Sequence, residues 1–123
     1  MATKRVTSQS FLAFEVPPEL GRRTEEVIET VRESADPQSH AGELIEVIIQ
    51  LTRTGLDSYF LLPLKRARVG SVTYGSAKLG VAAAGKSLPV LVRRVLGSLS
   101  NEQLLEIVEF LNEIHIVRGS DRR

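Results

Sequence analysis

The sequence predicts an all-α fold, a single helical bundle of four main helices with a short extra helix. Three observations carry that prediction. Apolar residues recur at helical spacing through most of the 123-residue chain. Ser100-Asn101-Glu102-Gln103 is a capping box, the clearest local signal present. The one stretch with local strand character, Val69 to Tyr74, would have no second strand to pair with.

The first helix is expected to start at Pro17-Pro18, because proline suits a first helical turn. Leu20, Thr24, Val27, Ile28, Val31 and Ala35 then share a face, while Glu25, Glu26, Glu29 and Glu33 make the outer face acidic. The Asp36-Pro37 step closes it. Ser39 is the expected cap of helix two. Leu44, Ile48, Leu51, Gly55 and Leu62 line one face of that helix, and Ile45, Ile49, Thr52 and Leu56 line the next. Two apolar faces mark a central helix, running from about residue 41 into the low sixties. Gly55 costs it about 1 kcal/mol, and Pro63 is expected to kink or end it.

Residues 70–87 are the part of the chain most biased toward small side chains. Ser76, Gly80 and Ala84 lie four apart, and Thr73, Ala77, Val81 and Gly85 form the adjoining row. Rows of small residues let two helix backbones approach closely, so Ser76, Gly80 and Ala84 are the expected helix-contact residues. Gly85-Lys86-Ser87 is expected to break this helix. Pro89 then opens a short one over residues 88–97, which carries Leu91, Val92, Val95 and Leu96 and ends at Gly97. The last helix is expected over residues 101–117, burying Leu104, Ile107, Val108, Leu111 and Ile114. Residues 1–16 read as an N-terminal arm, 17–117 as the helical domain and 118–123 as a tail.

Composition narrows the chemistry. The chain has no cysteine, which removes disulfides and thiolate nucleophiles or metal ligands together. It has no apolar run of transmembrane length. The only apolar core near the N-terminus, Phe11-Leu12-Ala13-Phe14, is too short for a secretory signal, and a cytoplasmic location is expected. The net charge is +1, but the charges are segregated. From Ser58 to Asn101 there is no acid, against Lys65, Arg66, Arg68, Lys78, Lys86, Arg93 and Arg94. Two readings follow. The cations pair with the acidic flanks, or they form a surface for an anionic partner, an anionic membrane or an acidic protein face. Nucleic acid fits less well, because the net charge is near zero and the chain has no tryptophan and few aromatics.

Gly80-Val81-Ala82-Ala83-Ala84-Gly85-Lys86-Ser87 satisfies GxxxxGK[ST]. Over these eight residues the chain resembles the phosphate-binding P-loop motif. The resemblance implies phosphate contacts from Gly80, Gly85, Lys86 and Ser87, with the lysine on the β/γ-phosphates and the hydroxyl on Mg²⁺. That motif requires a preceding strand, and the segment before Gly80 reads as helix. No apolar run ending in aspartate supplies the second side of a magnesium site. The two histidines, His40 and His115, lack metal-ligand spacing, and Glu106, Glu109 and Glu113 read as solvated carboxylates. No catalytic residue, metal site or cofactor is expected. The expected function is a non-catalytic helical interaction or assembly module, self-associating, with a basic surface over residues 58–101. The alternatives are a nucleotide-binding protein using Gly80 to Ser87 and a helical nucleic-acid binder.

Overall fold

In the computed structural model, which describes residues 12–117, every regular element is helical. The elements are α1 (Pro18–Glu33), a 3₁₀ turn (Pro37–His40), α2 (Ala41–Leu56), a π-helical turn (Asp57–Leu61), α3 (Leu62–Arg66), α4 (Ser71–Gly97) and α5 (Asn101–Ile114). The expected arm is described only from Leu12, and the expected tail, residues 118–123, lies outside the described residues.

Helix α1 starts at the two prolines as expected and buries Thr24, Val27, Ile28 and Val31. The Thr24 hydroxyl, inside the core, donates to the Leu20 carbonyl at 2.7 Å and so needs no other partner. The helix stops at Glu33, so Ala35, expected on its buried face, is exposed. Ser39 does not cap α2. Its hydroxyl donates to the Asp36 carbonyl at 2.7 Å inside the 3₁₀ turn, and α2 begins with no side-chain cap at all. The turn is instead fastened to the far end of the chain. Gln38 N–H donates to Asn101 Oδ1 at 2.8 Å, and its side-chain amide donates to the Leu99 carbonyl at 2.7 Å.

From Ala41 to Arg66 the backbone is one continuous helical rod, the central helix the two apolar faces predict. Pro63 neither ends it nor is simply absorbed. Proline has no N–H for the carbonyl four residues back, and its ring crowds that carbonyl. One turn earlier the helix widens, and Leu62 N–H bonds to the Asp57 carbonyl five residues back. Gly55 also has a local role. A Cβ there would meet the Phe14 ring at 3.3 Å, so the glycine lets the segment before α1 lie on α2, where Phe14 also meets Tyr59 edge-on at 5.6 Å.

The rod ends at Arg68, which adopts the left-handed conformation with φ 57. Val69 N–H bonds to the Leu64 carbonyl and Arg68 N–H to the Lys65 carbonyl, a Schellman cap with arginine where glycine is usual. Helix α4 then runs 27 residues without interruption. The expected break at Gly85-Lys86-Ser87 is absent, and residues 88–97 are the last part of α4 instead of a separate helix. Continuous packing explains this. Ala77, Val81, Gly85, Leu88, Val92 and Leu96 fall on one side at helical spacing and are among the covered residues of α4, and α4 packs against α2. That stripe outweighs the local cost of a glycine and a proline.

Helix α5 starts at the predicted box. Gln103 N–H donates to Ser100 Oγ at 3.2 Å, and Gln103 Oε1 accepts from Ser100 N–H at 2.9 Å. Ser100→Ala is therefore expected to lower stability by about 1 kcal/mol in urea denaturation. The helix buries Leu104, Val108 and Leu111 but ends at Ile114, which is half exposed instead of buried. Helix α1 packs on α5 and on α2, and α2 packs on α4. One core joins them, centred on Ile28, Val31, Leu44, Val47, Leu104 and Val108. At its edge Arg32 holds Glu109 with two bonds of 2.7 and 2.8 Å. The hydrogen bond from Arg32 pulls the Glu109 carboxyl below its ordinary value. A lowered carboxyl pKa adds stability that is present above the unfolded value and lost as pH falls through the folded one.

Candidate interaction surfaces

Residues 80–87 lie in the middle of α4. A phosphate loop aims free N–H groups at its ligand. Here the backbone is helical, and those N–H groups are used within the helix. Ser87 Oγ donates to the Ala84 carbonyl at 3.3 Å. The side chains of Lys86 and Ser87 are exposed on a helix wall. The geometry at Gly80, Gly85, Lys86 and Ser87 is that of a helix, where the resemblance to a P-loop implies a loop.

Gly85 has a different partner. It is the only buried glycine among the described residues, and it sits four residues before Pro89. Proline leaves the carbonyl of Gly85 without its helical N–H. The Arg53 guanidinium from α2 donates to that carbonyl at 3.3 Å, and a Cβ on Gly85 would lie 3.7 Å from Arg53 Nε. The close approach between α2 and α4 is thus made by the Ala77, Val81 and Gly85 row. Ser76, Gly80 and Ala84, the expected contact residues, are exposed, and nothing lies within 4 Å of a Cβ built on Gly80. Gly80→Ala is accordingly expected to raise the stability of the isolated chain by about 1 kcal/mol through helix propensity. A thermal melt that leaves Tm unchanged or lowered would put a close neighbour at Gly80.

The outer side of α4 carries more than small residues. Val72 is 82% exposed, Leu79 74% and Val90 59%, and they share a stripe with Ser76 and Ala83. Lys86, Arg93 and Arg94 flank the stripe, Lys78 lies further round toward the packed side, and α4 holds no acid. Lys65, Arg66 and Arg68 continue the cationic surface around the preceding turn. All seven cations are exposed, and among the described residues only Arg93 forms a salt bridge, with Glu46 at 3.3 Å. Lys78 sits 6.0 Å from the Tyr74 ring centroid. The other ion pairs are made by α1 and by the 3₁₀ turn. Arg22 meets Glu19 and Glu26, Arg32 meets Glu29 and Glu109, His40 meets Glu43, and His115 lies 3.8 Å from Glu25. Helix α5 presents four glutamates and no cation. The charged side chains of α5 are thus all acidic and those of α4 all basic, while α1 and α2 carry both signs, with acids in excess on each.

A second feature was not anticipated from the sequence. An apolar groove of about 850 Å³ runs between the segment before α1, α1 itself, α2 with its π turn, and α5. Its walls include Leu51, Leu56, Phe60, Phe110 and Ile114. Phe110 is 57% exposed and Phe60 49%. Phe110 and Ile114 lie four apart on the outer face of α5, a spacing visible in the sequence that the burial expected for Ile114 obscured. Glu113 is the one carboxylate in the lining, and no lysine or arginine is among the lining residues.

Among the described residues no group of three or more histidine, cysteine, aspartate or glutamate side chains is placed to hold a metal ion, and no helix is long and apolar enough to cross a membrane. No protein-family model, curated protein or solved structure matches this chain.

Proposed function

We propose that this protein is a non-catalytic helical interaction module that self-associates, offering its acid-free α3–α4 surface to an acidic protein face, foremost that of another copy. The observation that carries the reading is the state of the seven cations. If they served to pair with the acidic flanks inside the chain, most would have carboxylate partners. Six of the seven have none among the described residues. Exposed charge of one sign favours encounter with the opposite sign, and exposed large apolar side chains on the same helix mark an interaction face. Arg68 adds support. A left-handed arginine costs about 1 kcal/mol against glycine, a strain that fits a position where the cation is used.

Light-scattering mass measured against concentration and salt tests this reading. Association is expected at low salt and should weaken as salt rises. The double reversal Lys86→Glu with Arg94→Glu should abolish it. A chain that stays monomeric at low salt, binds no acidic protein and no anionic vesicle, and behaves the same after charge reversal would sink the proposal. ATP or GTP with Mg²⁺ should leave Tm unchanged. A Tm rise that Lys86→Ala removes would favour the nucleotide reading instead, since saturating ligand at a hundred times its Kd stabilises by about 2.7 kcal/mol.

A further inference from the structure

We infer that self-association joins two different surfaces, the outer stripe of α4 on one copy and the apolar groove on another. The inference rests on the self-association proposed above and names its two faces. Both are apolar and, among the described residues, uncovered. The stripe Val72, Ser76, Leu79, Ala83 and Val90 lies opposite the α4 residues that pack on α2, so α4 cannot turn it toward its own groove. The groove opens to the surface and is lined from four segments, the shape that receives one apolar helix face. From Val72 to Val90 the stripe is about 27 Å long at the helical rise of 1.5 Å per residue. Its small residues at Ser76 and Ala83 let the helix sit low between the Phe60 and Phe110 rims.

Charge decides against the simpler pairing of α4 with α4. That arrangement would set a helix with four cations and no acid against its own copy, with Lys86 beside the contact stripe itself. Like charges across an interface are strongly disfavoured. The groove offers the opposite sign. Glu113 is in its lining, Glu106 is one α5 turn before Phe110, and among the described residues no lysine or arginine lines it. Each contact is thus between unlike surfaces, so every copy has one of each to offer, and copies add head to tail or close into a ring.

Complementation of two surface variants tests this. Leu79→Glu spoils the stripe, and Phe110→Arg spoils the groove. Both replace exposed side chains, and circular-dichroism melts confirm that each still folds. By light scattering, wild type is expected to gain mass with concentration, while each variant alone remains monomeric. An equimolar mixture should restore one contact, between the stripe of the Phe110→Arg chain and the groove of the Leu79→Glu chain. The species formed should contain two chains and no more. Wild-type association that persists undiminished in either variant, or a mixture that remains monomeric, overturns the pairing while leaving self-association standing. A wild type that is monomeric at every concentration but binds phosphatidylserine vesicles or polyglutamate overturns both self-association and the pairing, and leaves a cationic docking surface for another partner. A monomer that binds neither removes the interaction reading as well.

Discussion

Leu44→Ala is expected to lower the unfolding free energy by about 2–5 kcal/mol, the largest single loss expected from a conservative truncation here. Leu44 is fully buried, on the central rod, in the same core as Ile28, Val31, Leu104 and Val108. Removing its isobutyl tip forfeits the transfer free energy of the lost carbons. It also leaves a cavity that the core cannot close without shifting the rod. A chain of this length typically has a total stability on the order of 6–18 kcal/mol, so the variant should unfold at a clearly lower urea midpoint with an unchanged slope. Leu62→Ala is the control. That leucine, on the same rod but 47% exposed, should cost much less. Equal losses at the two positions would mean that the rod is not the centre of the core.

Pro89→Ala is expected to raise stability by about 1–3 kcal/mol, because proline in a helix interior is disfavoured by about 3 kcal/mol and part of that is already offset here. Alanine would restore the N–H that the Gly85 carbonyl lacks. Part of the offset now comes from Arg53, whose guanidinium reaches that carbonyl from α2. The half-buried proline ring also packs, so its loss sets the lower end of the range. The coupling is the sharper test. Arg53→Ala should cost about 1 kcal/mol in the native sequence and clearly less when Pro89 is already alanine, since the carbonyl then has its helical partner. Identical costs in the two backgrounds would show that the arginine and the proline act independently.

The contrast between Ser100 and Gly85 shows what was legible in the sequence. The α5 cap depends on four consecutive residues, and local chemistry alone decides it. Continuity at Gly85 depends on α2. Glycine, serine and proline within five residues signal a stop, yet the covered series Ala77, Val81, Gly85, Leu88, Val92 and Leu96 crosses them at unbroken helical spacing. That periodicity was present in the sequence and pointed the right way. The two rows of small residues are a harder case. They lie side by side on one helix, and only the position of α2 selects Gly85 over Gly80. Ser39 failed as a cap for a similar reason, since Asp36 and Pro37 draw the backbone into a 3₁₀ turn that takes its hydroxyl. The seven cations were legible as a run without acids, whereas the lack of a partner for six of them among the described residues is a property of helix placement. The groove was not legible, because four segments distant in sequence build it.

The separation of charge has a consequence for how the molecule responds to its medium. At most two helix-to-helix spacings, about 16–20 Å, separate the cationic α4 from the net-acidic α1, since both pack on α2. The screening length of water is about 8 Å at physiological ionic strength and about 30 Å at 0.01 M salt. In dilute buffer the two helices therefore act together as one electric dipole whose opposite ends partly cancel at a distance. In physiological salt each end is felt alone. A net charge of +1 then describes neither end, and the same molecule should be retained on both cation and anion exchangers.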